Sequence, residues 1–187
     1  MYHNIVAPAH KSHTSQLDGV DGVVSCVGAF GSNDYMARVN GDANVRAISA
    51  ALRHKVARFV YVSAIQTDLP SFILRGYFEG KRRSEEAVVD AYGERGTVLR
   101  PSFVFGSRSI GRGMTLPLGI VGRPLQALLD LPGLRNLHRL PGLRGLLLPP
   151  VAVEDVGLVA AAAALGLLPT SESVIEVPAI RQLARWF

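Results

Sequence analysis

The sequence predicts an α/β fold, a doubly wound parallel sheet with a small Pro/Leu-rich C-terminal lobe, and three observations carry that expectation. Short β-branched and apolar runs of strand length read as strands buried on both faces. Stretches with helical composition alternate with them, which implies parallel strands joined by helical crossovers. Beyond Gly106 the texture changes to Pro, Gly, Leu and Arg, which marks a lobe beside the sheet rather than part of it.

Taken in order, Asp21–Gly28 (Asp-Gly-Val-Val-Ser-Cys-Val-Gly) is a buried strand ending in small residues. Val45, Ile48, Ala51 and Leu52 recur at helical spacing and predict a helix over Asn40–His54 with those side chains inward. Ala57–Ser63 is β-branched and aromatic, hence a strand. Tyr77–Tyr92 is rich in Glu, Lys, Arg and Ala without proline, so it is helical until Gly93–Gly96 breaks it. Thr97–Pro101 is a strand stopped by its proline. Pro117, Pro124, Pro132, Pro141, Pro149 and Pro150 then fragment regular structure into short helices and turns. From Val151 an alanine-rich helix is expected to about Leu168, with Asp155 in its dipole-favoured first turn, and Ser173–Val177 forms a last strand. These elements make one domain over residues 1–187: a core over 15–106, a substrate-side lobe over 107–150, and a final helix and strand over 151–187.

Composition narrows the function. The 187 residues are 48% hydrophobic and 19% charged, which fits one globular domain, and no apolar run is long enough to span a bilayer. The net charge of +5 comes from arginines spread along the chain rather than from basic blocks interleaved with aromatics, so no nucleic acid partner is expected. Cys26 is the single cysteine and has no disulfide partner in the chain. His3, His10, His13, His54 and His138 show no metal-ligand spacing, and no metal is assigned. Residues 1–16 lack the apolar stretch of a secretory signal, and their His and Lys residues hint at organelle targeting.

Chemistry gathers after two strands. Ser63 ends one, and the next helix opens with Tyr77-Phe-Glu-Gly-Lys81, which brings a hydroxyl, a phenol and an ammonium to the carboxyl ends of parallel strands, where open α/β sheets bind ligands. Tyr77 and Lys81 are one helical turn apart and share a face. The ammonium is expected to favour the phenolate, lowering the Tyr77 pKa and fitting it for proton transfer, with Ser63 orienting a substrate carbonyl. The alternative is that Tyr77 packs on the sheet while Lys81 joins Arg82 and Arg83 on a solvated face. Val27, Gly28, Ala29 and Gly31 follow the first strand, and such small residues let a ligand approach the backbone; an ordinary glycine turn is the competing reading. Gly-x-Gly-x-x-Gly occurs nowhere in the sequence.

Several segments together resemble a known group: Val24-Ser-Cys-Val-Gly-Ala-Phe-Gly-Ser-Asn33, Val39-Asn40-Gly41 with Asn44, Arg58-Phe-Val-Tyr-Val-Ser-Ala64, Leu74-Arg-Gly-Tyr-Phe-Glu-Gly-Lys-Arg82, Leu99-Arg-Pro-Ser and Phe105-Gly106. They resemble the atypical short-chain dehydrogenases related to the Rossmann-fold accessory subunit of complex I and the fungal coenzyme Q biosynthesis protein. Leu116-Pro-Leu-Gly-Ile-Val-Gly122 and Pro149-Pro-Val-Ala-Val153 extend the likeness to nearly the whole chain from Gly19. The resemblance implies an NAD(P)-binding Rossmann fold in which Gly28 to Gly31 border the dinucleotide. It also implies an active-site serine, tyrosine and lysine at Ser63, Tyr77 and Lys81, with Asn40 beside them. Relatives of this kind begin with a first strand and a glycine-rich loop, so the expectation here is a partial Rossmann fold lacking the first βαβ unit. An N-terminally incomplete, truncated chain with uncovered strand edges and a weakened dinucleotide grip is the accompanying expectation.

Two functions are implied by the resemblance. One is an NAD- or NADP-dependent oxidoreductase acting on a carbonyl or quinone-like small molecule, with Tyr77 moving the proton, Lys81 holding ribose and Ser63 orienting the oxygen. The other is a noncatalytic assembly or stabilising factor for coenzyme Q biosynthesis or a respiratory complex. Its lobe, Met114 to Pro150, would contact a protein partner or, peripherally, a membrane surface. A mitochondrial setting is expected, with the plastid as alternative.

Overall fold

The computed structural model describes residues 16–65, 74–109, 115–117, 119–129, 131, 148–170 and 172–187. Strand β1 (Gly22–Ser25) leads through α1 (Asn33–Ala37), a π-helical turn (Arg38–Asp42) and α2 (Ala43–Arg53) to β2 (Arg58–Val62). Helix α3 (Arg75–Tyr92) and one 3-10 turn (Gly93–Arg95) return the chain to β3 (Gly96–Arg100). Next come β4 (Val104–Phe105), the antiparallel pair β5 (Ser107–Ser109) and β6 (Thr115–Pro117), then α4 (Gly119–Leu129). The chain closes with β7 (Val151–Ala152), α5 (Val153–Ala164), β8 (Val174–Glu176) and α6 (Val177–Leu183).

The central sheet has the order β1-β2-β3-β8 and is parallel throughout. Its middle strands explain the burial: Phe59, Val60 and Tyr61 are consecutive and each at most 1% exposed, so β2 is covered on both faces. On one face, Ile48 and Ala51 of α2 and Val88 and Tyr92 of α3 pack on Phe59, Tyr61 and Val98. On the other, Val156, Val159, Ala160 and Ala163 of α5 and Ile180 and Leu183 of α6 pack on Val60, Leu99 and Ile175. Alternate residues of one strand thus feed two cores, and the doubly wound α/β layering is as expected.

Glycines let α3 approach the first helical segment. A Cβ at Gly76 would stand 2.0 Å from the Asn33 carbonyl oxygen, and one at Gly80 would stand 2.9 Å from the Gly41 nitrogen. Backbone meets backbone there, so α3 crosses α1 and the π-helical turn at a distance that no side chain permits.

Three expectations are corrected. The helix expected to begin at Asn40 belongs to a helical run that starts at Asn33, where the Ser32 side chain accepts a hydrogen bond from the Tyr35 N–H and caps it. Leu52, expected inward with Ile48 and Ala51, is 45% exposed, because the residue directly after Ala51 turns about 100° away from the core. Pro124 lies inside the eleven-residue α4 instead of fragmenting it. Pro124 is the sixth residue of α4, past the four N–H groups that have no helical partner, so its ring forgoes one bond within the helix. The lobe residues 132–147, with Pro132 and Pro141, and Met114 lie outside the described residues.

Candidate functional site

The site is built at the carboxyl ends of β1 and β2. After β1 the segment Val27–Gly31 runs across the sheet end and is held from below by two asparagines. Asn40 fastens Ala29 twice: its Nδ2 donates to the Ala29 carbonyl at 2.9 Å, and its Oδ1 accepts from the Ala29 N–H at 3.2 Å. The same Nδ2 also donates to the Met36 carbonyl. Asn44 holds the residue two before, its Nδ2 donating to the Val27 carbonyl at 3.2 Å while its Oδ1 accepts from the Ser25 hydroxyl at 2.6 Å. Both asparagines are fully buried. The Asn40 carbonyl in turn accepts from Tyr61 OH, Ser84 Oγ and Asn44 Nδ2. The π-helical turn, β2 and α3 therefore meet at one residue.

Helix α3 delivers the rest. Lys81 is 6% exposed, and its Nζ donates to the Val62 carbonyl at 2.9 Å and stands 4.7 Å from the Tyr61 ring centre. A Cβ at Gly28 would meet Asn40 Oδ1 at 3.0 Å and Lys81 Nζ at 3.4 Å, so glycine keeps open the position on which the two side chains converge. Gly31 is tight for a different reason: a Cβ there would lie 2.9 Å from the Tyr35 ring. Tyr77 is half-buried and stacks on Phe30, ring centres 4.8 Å apart and planes 12° from parallel, with Phe78 edge-on to it at 5.2 Å. Ser63 comes directly after β2, its N–H donating to the Leu99 carbonyl; among the described residues its buried Oγ has no hydrogen-bond partner.

The electrostatics revise the expected chemistry. Burial pushes the Tyr77 phenol up from 10.0, rather than Lys81 pulling it down. Lys81 lies 5.8 Å from the Tyr77 ring centre, and its proton donor is engaged by the Val62 carbonyl. Lys81 itself is lowered from 10.5 to about 8, chiefly by burial, with Cys26 and Glu85 opposing the fall. The alternative of a solvated Lys81 beside Arg82 and Arg83 is likewise overturned: those two arginines are exposed, while Lys81 faces the sheet.

Every residue singled out from the sequence, Val27, Gly28, Ala29, Gly31, Asn40, Ser63, Tyr77 and Lys81, thus lies in the loops, π-helical turn and helix at this end of the sheet. Asn40 is the one whose polar side chain is used up by the backbone, which makes it a positioning residue for the loop. Sequence reasoning missed Phe30, Tyr61 and Ser84. Only Ser84 left a readable signal, standing one turn beyond Lys81 on the helix face that meets Asn40.

A parallel sheet wound on both faces, with a glycine-bearing loop and a buried lysine at its carboxyl end, defines a nucleotide-binding α/β protein with a Rossmann-like arrangement. The chain belongs to the NAD(P)H-binding family, which matches residues 6–115. A curated relative, an uncharacterized chloroplastic protein of Arabidopsis thaliana, is 42% identical over 145 residues, covering 76% of this chain and 49% of the relative. The chain spans about half the length of that relative. Among solved structures, MoeE5 in complex with UDP-glucose and NAD matches with a TM-score of 0.51 at 18% identity, over 88% of this chain and 58% of that one. That likeness is one of fold. Family membership supports binding of a nicotinamide dinucleotide by this class of domain.

The residues present fit one part of such a cofactor. Gly28, where a Cβ would meet Asn40 Oδ1 and Lys81 Nζ, brings backbone, amide and ammonium together, polar groups of the kind that could hold the ribose hydroxyls of such a cofactor. For the pyrophosphate, the Gly-x-Gly-x-x-Gly loop is not in the sequence.

Proposed function

We propose that the chain holds NAD or NADP at the Gly28 loop and serves in the oxidoreduction of a carbonyl or quinone-like small molecule. The observation that carries this reading is Lys81: a lysine 6% exposed, lowered to about 8, and converging with Asn40 on a glycine. A buried ammonium costs stability, and such groups concentrate at functional sites. When bound, the dinucleotide supplies the two-electron chemistry. Lys81 holds ribose hydroxyls, Asn40 and Asn44 keep the loop in register, and the Ser63 hydroxyl donates to the substrate oxygen. Tyr77, whose raised pKa keeps it protonated at neutral pH, gives its proton to that oxygen.

Calorimetric titration of NADH and NADPH tests the reading. Measurable binding that Lys81→Met abolishes supports it, and no binding of either dinucleotide overturns it. The link to ubiquinone chemistry and to a complex I relative is carried by the sequence resemblance. The chloroplastic relative favours a plastid setting over the mitochondrial one, and imaging a fluorescent fusion of the natural gene product discriminates the two.

A second reading, a noncatalytic assembly or stabilising factor, is favoured by Val24, Leu158, Leu165 and Leu167, exposed apolar side chains on β1, on α5 and just past it. It requires association with a partner protein that survives Tyr77→Phe.

A further inference from the structure

The arginines are spread along the chain, but the acids that balance them are not. Residues 107–150 hold six arginines, no lysine and one acid, Asp130, a net charge of +5. All other residues together hold fourteen lysines and arginines against fourteen aspartates and glutamates, so the whole net charge of +5 belongs to the lobe. The lobe has no aromatic residue, and leucine is interleaved with its arginines: Leu-Pro-Gly-Leu-Arg occurs at 131–135 and again at 140–144.

Helix α4 shows what this composition presents to solvent. It packs on β4 and β7, which follow the sheet strands β3 and precede α5, and it turns Leu129 inward. Its outward side is apolar as well. Leu125 and Leu128, one helical turn apart on a shared face, are 39% and 51% exposed, and Leu131, just past the helix, is 50% exposed. Pro124 and Ala127 are exposed beside them. A helix on the surface of a globular protein normally sets polar and charged residues away from the core. Singly scattered leucines need no explanation, but leucines gathered on one outward face mark a contact surface.

An apolar face within an excess of positive charge fits a partner that has an apolar layer directly beneath an anionic plane. Nucleic acid offers the phosphates but nothing that buries leucine, and the lobe has no aromatic ring for bases to stack on. A second copy of this chain would bring the same charge of +5 to the same face, and like charges oppose that pairing. An anionic bilayer surface offers both the charge and the apolar layer. We propose that the outward face of α4 docks on an anionic lipid bilayer, its leucines entering the interface while the net positive charge of the lobe draws the chain to it. This attachment goes beyond the dinucleotide reading and does not rest on it.

The test sediments the full chain with vesicles of phosphatidylcholine alone and of phosphatidylcholine mixed with phosphatidylglycerol. Binding to the anionic vesicles is expected, and binding at least about tenfold weaker to the neutral ones, because each basic side chain near an anionic surface adds attraction. Raising NaCl to about 0.5 M, where the screening length falls to roughly 4 Å, should weaken the anionic binding at least about tenfold. Leu125→Ala combined with Leu128→Ala should also weaken it at least about tenfold. Both leucines are exposed, so this variant is expected to melt like the parent; should it not, Leu128→Ala alone is compared, with binding at least about threefold weaker. No binding to anionic vesicles, equal binding to neutral ones, or undiminished binding by a leucine variant that melts like the parent overturns the inference. Tighter binding of duplex DNA or of polyglutamate at the same salt also overturns it, in favour of a nucleic acid or an acidic protein. NADH titrated separately keeps the two readings apart, since leucine-dependent vesicle binding upholds the docking surface whether or not the dinucleotide binds.

Discussion

Replacing Lys81 by methionine exposes what the buried ammonium costs the fold. In the unfolded chain the lysine keeps its proton up to 10.5, whereas in the folded chain it releases it near 8. The folded state therefore prefers the neutral amine, and the charged form subtracts from stability at all pH values below about 8. That penalty fades as pH rises from 8 towards 10.5. At about 1.4 kcal/mol per pH unit, the full gap corresponds to about 3 kcal/mol at neutral pH. Methionine fills the same length of chain but forgoes the bond to the Val62 carbonyl and the contact with the Tyr61 ring, together about 1.5–2.5 kcal/mol. At pH 7 Lys81→Met should accordingly be as stable as the parent or more stable by about 1 kcal/mol. Between pH 7 and 9.5 the parent should then gain about 2 kcal/mol relative to the variant, as its lysine sheds the proton on folding. Urea unfolding of both proteins monitored by circular dichroism across that range reads the difference directly. A stability gap that stays constant within about 0.5 kcal/mol would refute the reasoning, because it would mean that Lys81 titrates alike in both states.

Other substitutions test the scaffold around it. Asn40→Ala removes a fully buried amide that makes bonds to Ala29 and Met36 and should cost about 2–4 kcal/mol. Hydrogen exchange should show the Ala29 amide unprotected in that variant. Gly76→Ala drives a Cβ to 2.0 Å from the Asn33 carbonyl and should fail to fold or lose most of its stability, whereas Gly157→Ala, in α5 with nothing within 4 Å of its Cβ, should stabilise by up to about 1 kcal/mol. Thermal melts of the pair decide whether close helix packing or helix propensity governs each glycine. Ser63→Ala removes a buried hydroxyl without a partner among the described residues, so the melting temperature should hold or rise slightly. Dinucleotide binding should be unchanged in the same protein, and carbonyl reduction should fall.

The parts of the molecule that were legible in the sequence are those where one physical demand acts alone. Phe59-Val-Tyr61 must be covered on both sides, and only a central strand does that; α3 has helical composition from Tyr77 to a glycine break. The Tyr77 and Lys81 spacing placed both residues at the same end of the sheet without the structure. What spacing leaves open is the depth at which an ammonium sits. Lys81 reads like its neighbours Arg82 and Arg83, and only the sheet packed against α3 turns it from a solvated charge into a buried one. The reversal of the expected Tyr77 shift has the same burial as its cause. Phe30 carries no periodic signal at all, since its ring is placed by a loop whose shape depends on asparagines ten and more residues away. The early start of the first helix was hidden because its first turns pack on the glycines of α3 rather than on the sheet.

The π-helical turn is a place in this region where chain length can change at little cost. Asn44 reaches back across it to the carbonyls of both Val39 and Asn40. A π-helical turn holds one residue more than an α-helical turn, so deleting one residue between Arg38 and Asp42 closes it to ordinary helix and nearly keeps the rotational phase of α2, with Ile48 still on the core. Identity is what is fixed here, since Asn40 fastens Ala29 and Gly41 lets Gly80 approach. A relative with a one-residue gap here is expected to keep the sheet register, and one that replaces Asn40 is expected to lose the loop geometry, whatever its remaining identity.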